Sequence, residues 1–282
     1  MSGACLFQIR CLAQASLDAL GIIAGNGVYP LLLAASARNA GVKKIVAAAF
    51  TGETDPALEQ HVDFLEWMRV GQLNRLLKCF RAQDIHHAIM AGQIAPKNLF
   101  DFQPDWKALL LLGKLKERNA ESIFAAIADE LAKIDVELLP ATTFLENSLA
   151  QSGLITGAKL SSQEEEDVDL GWKTAKEIAR LDIGQTVIVK NGTIVAVEAL
   201  EGTNETIKRG GALARNGAVM VKVSKPNQDL RFDVPVIGVE TIRIAADGTL
   251  RVIAVEAGKT LLLDHDAIVN LAVRSKISIL AR

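Results

Sequence analysis

The sequence predicts an α/β protein with two parts: a Rossmann-like N-terminal domain built on a mainly parallel sheet, and a second α/β domain with a mixed sheet. Three observations carry this reading. Short aliphatic runs alternate with stretches of helical period through the first half, the pattern of βαβ units. Asn191-Gly192 stands between two apolar runs in the second half, and this dipeptide supplies the two positive φ angles of a type I′ hairpin turn. The hydrophobicity is aliphatic, with 50% apolar but only 5% aromatic residues, which suits buried strands covered by helices.

The elements follow in order. Leu20 to Ala24 is a first strand that ends in Gly25-Asn26-Gly27, and Pro30 then opens a helix that stops at Gly41, as a proline at N1 and a C-terminal glycine should. Lys44 to Phe50 reads as a second strand and Val62 to Trp67 as a weaker third. Leu73, Leu76, Leu77 and Phe80 form one helical face before a strand around Ala88 to Ala91. Two further helices are expected, one over Trp106 to Lys116 and one carrying Ile123, Ile127 and Leu131. Between about Ala141 and Ser161 the periodicity fades. Ser162-Gln-Glu-Glu165 then reads as a capping box opening a helix whose buried stripe is Val168, Trp172, Ala175 and Ala179. The hairpin spans Thr186 to Lys190 and Thr193 to Ala199; strands are expected near Ala218 to Ser224, Leu250 to Val255 and Ile277 to Leu280, with helices near Thr203 and after Asp264. The chain has 282 residues; at about 150 residues per domain that length makes two. The expected division is an N-terminal extension at 1–19, the Rossmann-like domain at 20–142, a linker at 143–161 and the second domain at 162–282.

Charge and composition exclude several classes. Lys and Arg total 31 against 33 for Asp and Glu, so there is no basic footprint for nucleic acid. Cys5, Cys11 and Cys79 are odd in number and form no disulfide framework; a reducing cytoplasm is the simplest compartment. Ala13-Gln14-Ala15 looks like a cleavage site, but no basic segment precedes it and Gln8 and Arg10 interrupt the apolar stretch, so secretion is not expected. No apolar run approaches the roughly 18 residues of a spanning helix, and any membrane contact is expected to be peripheral. Two-domain enzymes of this size often dimerise, so a homodimer is an expectation from frequency alone.

Two regions offer chemistry. Gly25-Asn26-Gly27 follows a strand and precedes a helix, where backbone N–H groups can hold a phosphate; it is equally readable as a bare turn. Pro30 occupies the place of the third glycine of a dinucleotide fingerprint, which disfavours NAD. The second region runs from Glu198 through Glu201 and Glu205 to Lys208-Arg209, and from Lys222 and Lys225 through Asp229, Arg231 and Asp233 to Pro235. Interleaved cations and carboxylates fit phosphate chemistry, the cations offsetting phosphate charge and the carboxylates holding a divalent metal or steering a water. Oxygen ligands of this kind favour Mg²⁺ or Mn²⁺. The plain alternative is a solvated loop in which Asp233 caps the turn before Pro235. His61, His86, His87 and His265 stand in separate segments, Cys79 lies on an apolar helix face, and no G-x-S-x-G elbow or Walker A loop occurs.

Taken together, Leu20-Gly-Ile-Ile-Ala-Gly-Asn-Gly27 with Pro30, Leu181-Asp-Ile-Gly-Gln185, Val195-Ala-Val-Glu198-Ala-Leu-Glu-Gly-Thr203, Lys225-Pro-Asn-Gln-Asp-Leu-Arg-Phe-Asp-Val-Pro235 and Glu256-Ala-Gly-Lys259 resemble the LpxI-type UDP-2,3-diacylglucosamine pyrophosphatases. The resemblance implies two α/β domains with the lipid bound between them. It also implies Mg²⁺-dependent hydrolysis of UDP-2,3-diacylglucosamine to 2,3-diacylglucosamine 1-phosphate and UMP in lipid A biosynthesis, by water attack on the α-phosphorus. It places the catalytic aspartate at Asp233, in Arg231-Phe-Asp233-Val-Pro235. Residue chemistry then suggests Arg231 and Lys225 as partners in catalysis, and Glu201 and Asp229 beside Asp233 as metal ligands. Gly25, Asn26, Gly27, Lys222, Gln228 and Thr203 are expected to bind substrate. Relatives often carry aspartate where this chain has Asn204, which puts metal ligation by that position in doubt. Acyl chains need an aliphatic surface, and Trp106 to Leu115 is a candidate wall as well as a core helix. A substrate of this kind implies transient contact with the inner-membrane surface, although no polybasic helix explains it. Hydrolysis of another UDP-sugar, or non-catalytic binding of a sugar nucleotide or lipid, are the alternatives.

Overall fold

The computed structural model describes residues 17–94, 104–115, 120–226 and 228–282, with the backbone alone at 120 and 121. Most of the expected N-terminal extension, Cys5 and Cys11, the end of the helix expected to reach Lys116, and Asn227 lie outside the described residues. By internal contacts the chain forms two compact units, Met1–Leu145 with Asp229–Asp233, and Glu146–Gln228 with Val234–Arg282.

The first unit is built on a five-stranded, all-parallel sheet. Its strands are β1 (Ala19–Ala24), β2 (Lys44–Phe50), β3 (Phe64–Met68), β4 (His87–Ala91) and β5 (Glu137–Leu138), in the order β3-β2-β1-β4-β5. That is the order of a doubly wound sheet, whose direction of winding reverses between β1 and β4. Helix α1 (Tyr29–Asn39) packs on β1 and β4, with Pro30 in its first turn and Leu33, Ala34 and Ala37 buried. Helices α2 (Leu73–Ala82), α3 (Trp106–Lys114) and α4 (Ala120–Ala132) join the core formed by Val46, Ala48, Ala88 and their neighbours. All four residues of the expected α2 stripe are buried. Each such large apolar side chain contributes about 1.5–3 kcal/mol through burial. Cys79 packs in this core, and burial pushes its thiol up to about 11, so it is no nucleophile. Helix α3 is less enclosed than expected: Ala108 and Leu111 pack inward, whereas Trp106, Leu109 and Leu110 are exposed.

The second unit carries a six-stranded mixed sheet. Its strands are β6 (Gly153–Thr156), β7 (Thr186–Lys190), β8 (Thr193–Val197), β9 (Ala218–Lys222), β11 (Leu250–Val255) and β13 (Ser278–Ala281), in the order β6-β13-β11-β9-β7-β8. β9, β11 and β13 are parallel neighbours, and β6, β7 and β8 are added antiparallel. A separate short pair joins β10 (Val236–Ile237) to β12 (Leu261–Leu262). The alternation of strand side chains separates two cores. Val187, Val189, Val219 and Val221 meet Val168, Ala175 and Ala179 of α5 (Ser162–Arg180). Ile188, Met220 and Ile253 meet α6 (Thr203–Ala214), α7 (Val239–Asp247) and α8 (His265–Arg274).

Three local details differ from the expectation. The capping box is one residue earlier: Ser161 is the extended N-cap, its Oγ accepts Glu164 N–H at 3.3 Å and its N–H donates to Glu164 Oε2 at 2.7 Å. The run Ser161-Ser162-Gln163-Glu164-Glu165 offers two registers, and Ser162 is already helical. The stretch 143–161 contributes the edge strand β6, and α7 had no counterpart in the sequence reading. The hairpin forms as expected, with Asn191 and Gly192 at φ 48° and 74°. Buried Asp167 of α5 accepts both of their N–H groups, at 2.8 and 2.7 Å.

Candidate functional site

At the point in the first sheet where the winding reverses, the loops after β1 and β4 cross closely. Gly25 donates its N–H to Ala91 O at 2.8 Å and Asn26 donates to Gln93 O at 2.7 Å. A Cβ on Gly25 would lie 2.5 Å from Gln93 O, and one on Gly92 2.5 Å from Asn26 O, so backbone stands where a side chain would be. Asn26 Nδ2 donates to the nearly buried Glu53 carboxylate at 3.0 Å. Two of the three residues expected to cradle a phosphate therefore spend their N–H groups on the sheet extension, and a carboxylate stands beside them. This part of the Gly25–Gly27 turn serves the backbone crossing.

In the second unit polar side chains form two networks at the end of β9. The first is largely enclosed: Lys222 and Glu198 are buried and Thr203 is half-buried. Lys222 Nζ donates to Thr203 Oγ1 at 2.9 Å and to Val236 O at 3.3 Å. Thr203 in turn donates to Glu198 Oε1 at 2.8 Å, and Glu198 Oε2 accepts Gln185 N–H at 3.2 Å. The second network gathers on Glu256, immediately after β11. Its carboxylate accepts from Lys176 Nζ at 2.5 Å, from the N–H and hydroxyl of Ser224 at 2.8 and 2.7 Å, and pairs with Lys259 at 2.8 Å. Burial alone would raise its pKa; the lysine and serine donors outweigh burial and hold it at about 2. These contacts fix the start of the loop that leaves β9. Lys225 Nζ pairs with Asp182, and Lys225 N–H donates to Gln228 Oε1 at 3.0 Å.

The next five residues, Asp229–Asp233, group with the first unit. Arg231 clamps Asp229 with Nε at 3.0 and 3.1 Å and Nη2 at 2.6 Å, and Asp229 also accepts the Arg231 N–H at 3.0 Å. The guanidinium holds the Asp229 carboxyl below the usual range. Phe232 packs against Phe124 at 5.6 Å between ring centroids, and Leu230 O accepts the Ala141 N–H at 2.7 Å. Asp233 N–H closes the turn on Asp229 O at 3.0 Å. Among the described residues its half-buried carboxylate makes no hydrogen bond or ion pair, in contrast to Asp229, and it does not cap the turn before Pro235.

Glu201 stands apart from this loop in its bonding. It pairs with Arg209 at 2.5 Å and accepts Ala199 N–H at 3.1 Å. Its pKa is lowered by backbone bonding and by the arginine. Asp229 and Glu201 thus each have a cation already. Among the described residues no group of three or more His, Cys, Asp or Glu side chains is placed to hold a metal ion. The three carboxylates expected as metal ligands therefore do not form a ready shell. The sequence reading named Glu198 only as the start of a charged region and gave no role to Lys176, Asp182, Gln185 or Glu256; all but Lys176 lie in the quoted motifs, which was the only signal.

A doubly wound domain joined to a mixed-sheet α/β domain, with a loop that carries two paired cations and one uncommitted aspartate, defines a two-domain α/β protein. The comparisons with known proteins specify it further. Residues 19–148 match the LpxI N-terminal domain and residues 151–280 the LpxI C-terminal domain. The UDP-2,3-diacylglucosamine pyrophosphatase LpxI of Caulobacter vibrioides is 30% identical over 264 residues, covering 90% of this chain and 93% of that protein. The chain belongs to the LpxI family.

Proposed function

We propose that the protein is a UDP-2,3-diacylglucosamine pyrophosphatase. Water attacks the α-phosphorus, the bond to the bridging oxygen breaks, and UMP and 2,3-diacylglucosamine 1-phosphate leave. The observation that carries this reading is the match to both LpxI domains together with an uncommitted Asp233 in the Arg231-Phe-Asp233-Val-Pro235 motif. This unpaired carboxylate is the group in this loop free to orient the water and take its proton. Arg231, fixed by Asp229, and Lys225, held by Asp182, supply positive charge for the developing phosphoryl oxygens. Lys222, Thr203 and Gln228 line the same part of the second unit and remain the proposed substrate contacts there.

We also propose that the reaction depends on Mg²⁺, with Mn²⁺ as the other oxygen-preferring ion. Among the described residues no helix is long and apolar enough to cross a membrane. The exposed Trp106, Leu109 and Leu110 of α3 give acyl chains, or the membrane surface that holds them, an apolar face to bury. We place the enzyme in the cytoplasm, visiting the inner membrane; a homodimer stays an expectation from frequency. Turnover in ¹⁸O-water tests the direction of attack. Label in UMP and none in the sugar phosphate is expected; label in 2,3-diacylglucosamine 1-phosphate would show attack on the other phosphorus.

A further inference from the structure

Buried polar atoms are almost always hydrogen-bonded, and each exception asks for an explanation. Among the described residues three side-chain atoms are buried without a partner: Gln185 Oε1, Gln228 Nε2 and Thr260 Oγ1. Thr260 has no exposed surface and stands alone. The two glutamines do not. Gln185 immediately precedes β7, and its carbonyl accepts Val223 N–H at 3.0 Å, just beyond the end of β9. Gln228 closes the loop that begins there, its Oε1 accepting Lys225 N–H at 3.0 Å. Asp182, three residues before Gln185, holds the Lys225 ammonium.

The chemistry of the Gln228 amide is defined by the bond it already makes. Lys225 N–H needs an acceptor, so the amide oxygen of Gln228 must face it, and the atom left over is the NH₂ donor. The Gln185 side chain makes no hydrogen bond among the described residues, so its amide is free to present the complementary carbonyl acceptor. One unsatisfied donor and one unsatisfied acceptor thus stand on two sides of the same loop start, at the C-terminal end of a parallel strand, where α/β sheets bind ligands.

We propose that Gln185 Oε1 and Gln228 Nε2 form a specificity pair that grips a ligand group offering both an N–H and a carbonyl oxygen. This rests on the substrate reading above, which contains that chemistry twice, in the imide edge of uracil and in the N-acyl amide of the glucosamine. A site whose buried amides are completed only by the right group rejects analogues that lack it more strongly than an apolar pocket could.

The test is calorimetric titration of the full chain with UMP and, separately, with N-acetylglucosamine 1-phosphate, for wild type, Gln185→Met and Gln228→Glu. Gln185→Met removes the acceptor in an apolar isostere, and Gln228→Glu keeps the oxygen that Lys225 N–H needs while removing the donor. Melting temperatures establish that the variants fold. The expected result is that wild type binds at least one probe and that both variants weaken the same probe tenfold or more. Loss for UMP assigns the pair to the base, and loss for the sugar phosphate assigns it to the acyl amide. Wild-type affinity in either folded variant, or no binding of either probe by wild type, overturns the proposal. Lipid hydrolysis measured on the same wild-type preparation is a separate result: probe binding through the pair without turnover would sink the activity and leave the pair standing.

Discussion

Asp229 and Asp233 lie four residues apart on one loop, and the residue scale is where they part. Asp229 is clamped by Arg231 through its Nε and Nη2 atoms, while Asp233 has no partner among the described residues. Arg231→Lys keeps the charge but loses the planar fork. It should lower kcat/KM about tenfold or more, while the unfolding free energy from urea titration changes by less than about 1 kcal/mol, because the pair is partly solvent-screened. An unchanged kcat/KM would show that the clamp has no part in positioning the loop. The sequence pointed to Asp233 through its motif. It did not show that Asp229 is spent on Arg231, because an i, i+2 spacing in an irregular segment does not say which way either side chain turns. The same limit explains Glu201, named as a metal ligand and found with Arg209.

At the scale of elements, Glu256 ties the segment after β11 to the loop leaving β9 and to Lys176 on α5. Its folded pKa, about 2, lies below the ordinary 4.5. The carboxylate therefore stabilises the fold fully above the unfolded pKa, and that contribution is lost as pH falls from about 4.5 towards 2. It is of the order of 2 kcal/mol, discounted for partial solvent screening. Melting temperatures between pH 6 and pH 2.5 should fall more steeply for wild type than for Glu256→Gln; parallel curves would contradict the role. Strands and helices with clear periods, such as Lys44 to Phe50 and Leu250 to Val255, were legible in the sequence because burial on a fixed repeat leaves a pattern. The edge strand β6 and the short α7 were not, since β6 exposes Gly153 and Leu154 and α7 follows a loop in which polar and apolar residues mix.

At the scale of the whole molecule, the two α/β bodies were readable from composition and alternation. The membership of Asp229–Asp233 in the first unit was not, because it depends on contacts distant in sequence. Phe232, beside Phe124 and the first core, anchors that segment. Phe232→Ala should destabilise the chain by about 1–3 kcal/mol, less than the roughly 3–5 kcal/mol of a fully buried phenylalanine because Phe232 is half-buried, and should also lower kcat through its neighbour Asp233; a loss of stability with full turnover would separate the anchor from the chemistry. The aliphatic excess builds the cores of both units and leaves Trp106, Leu109 and Leu110 exposed, consistent in kind with a lipid substrate. The central claim is that this chain hydrolyses UDP-2,3-diacylglucosamine through Asp233. The most direct measurement is UMP release from that substrate by purified wild type and by Asp233→Asn, a variant expected to keep the wild-type melting temperature. The account predicts steady UMP release by wild type and a loss of about 10²-fold or more in the variant; no release by wild type, or undiminished release by Asp233→Asn, would contradict it.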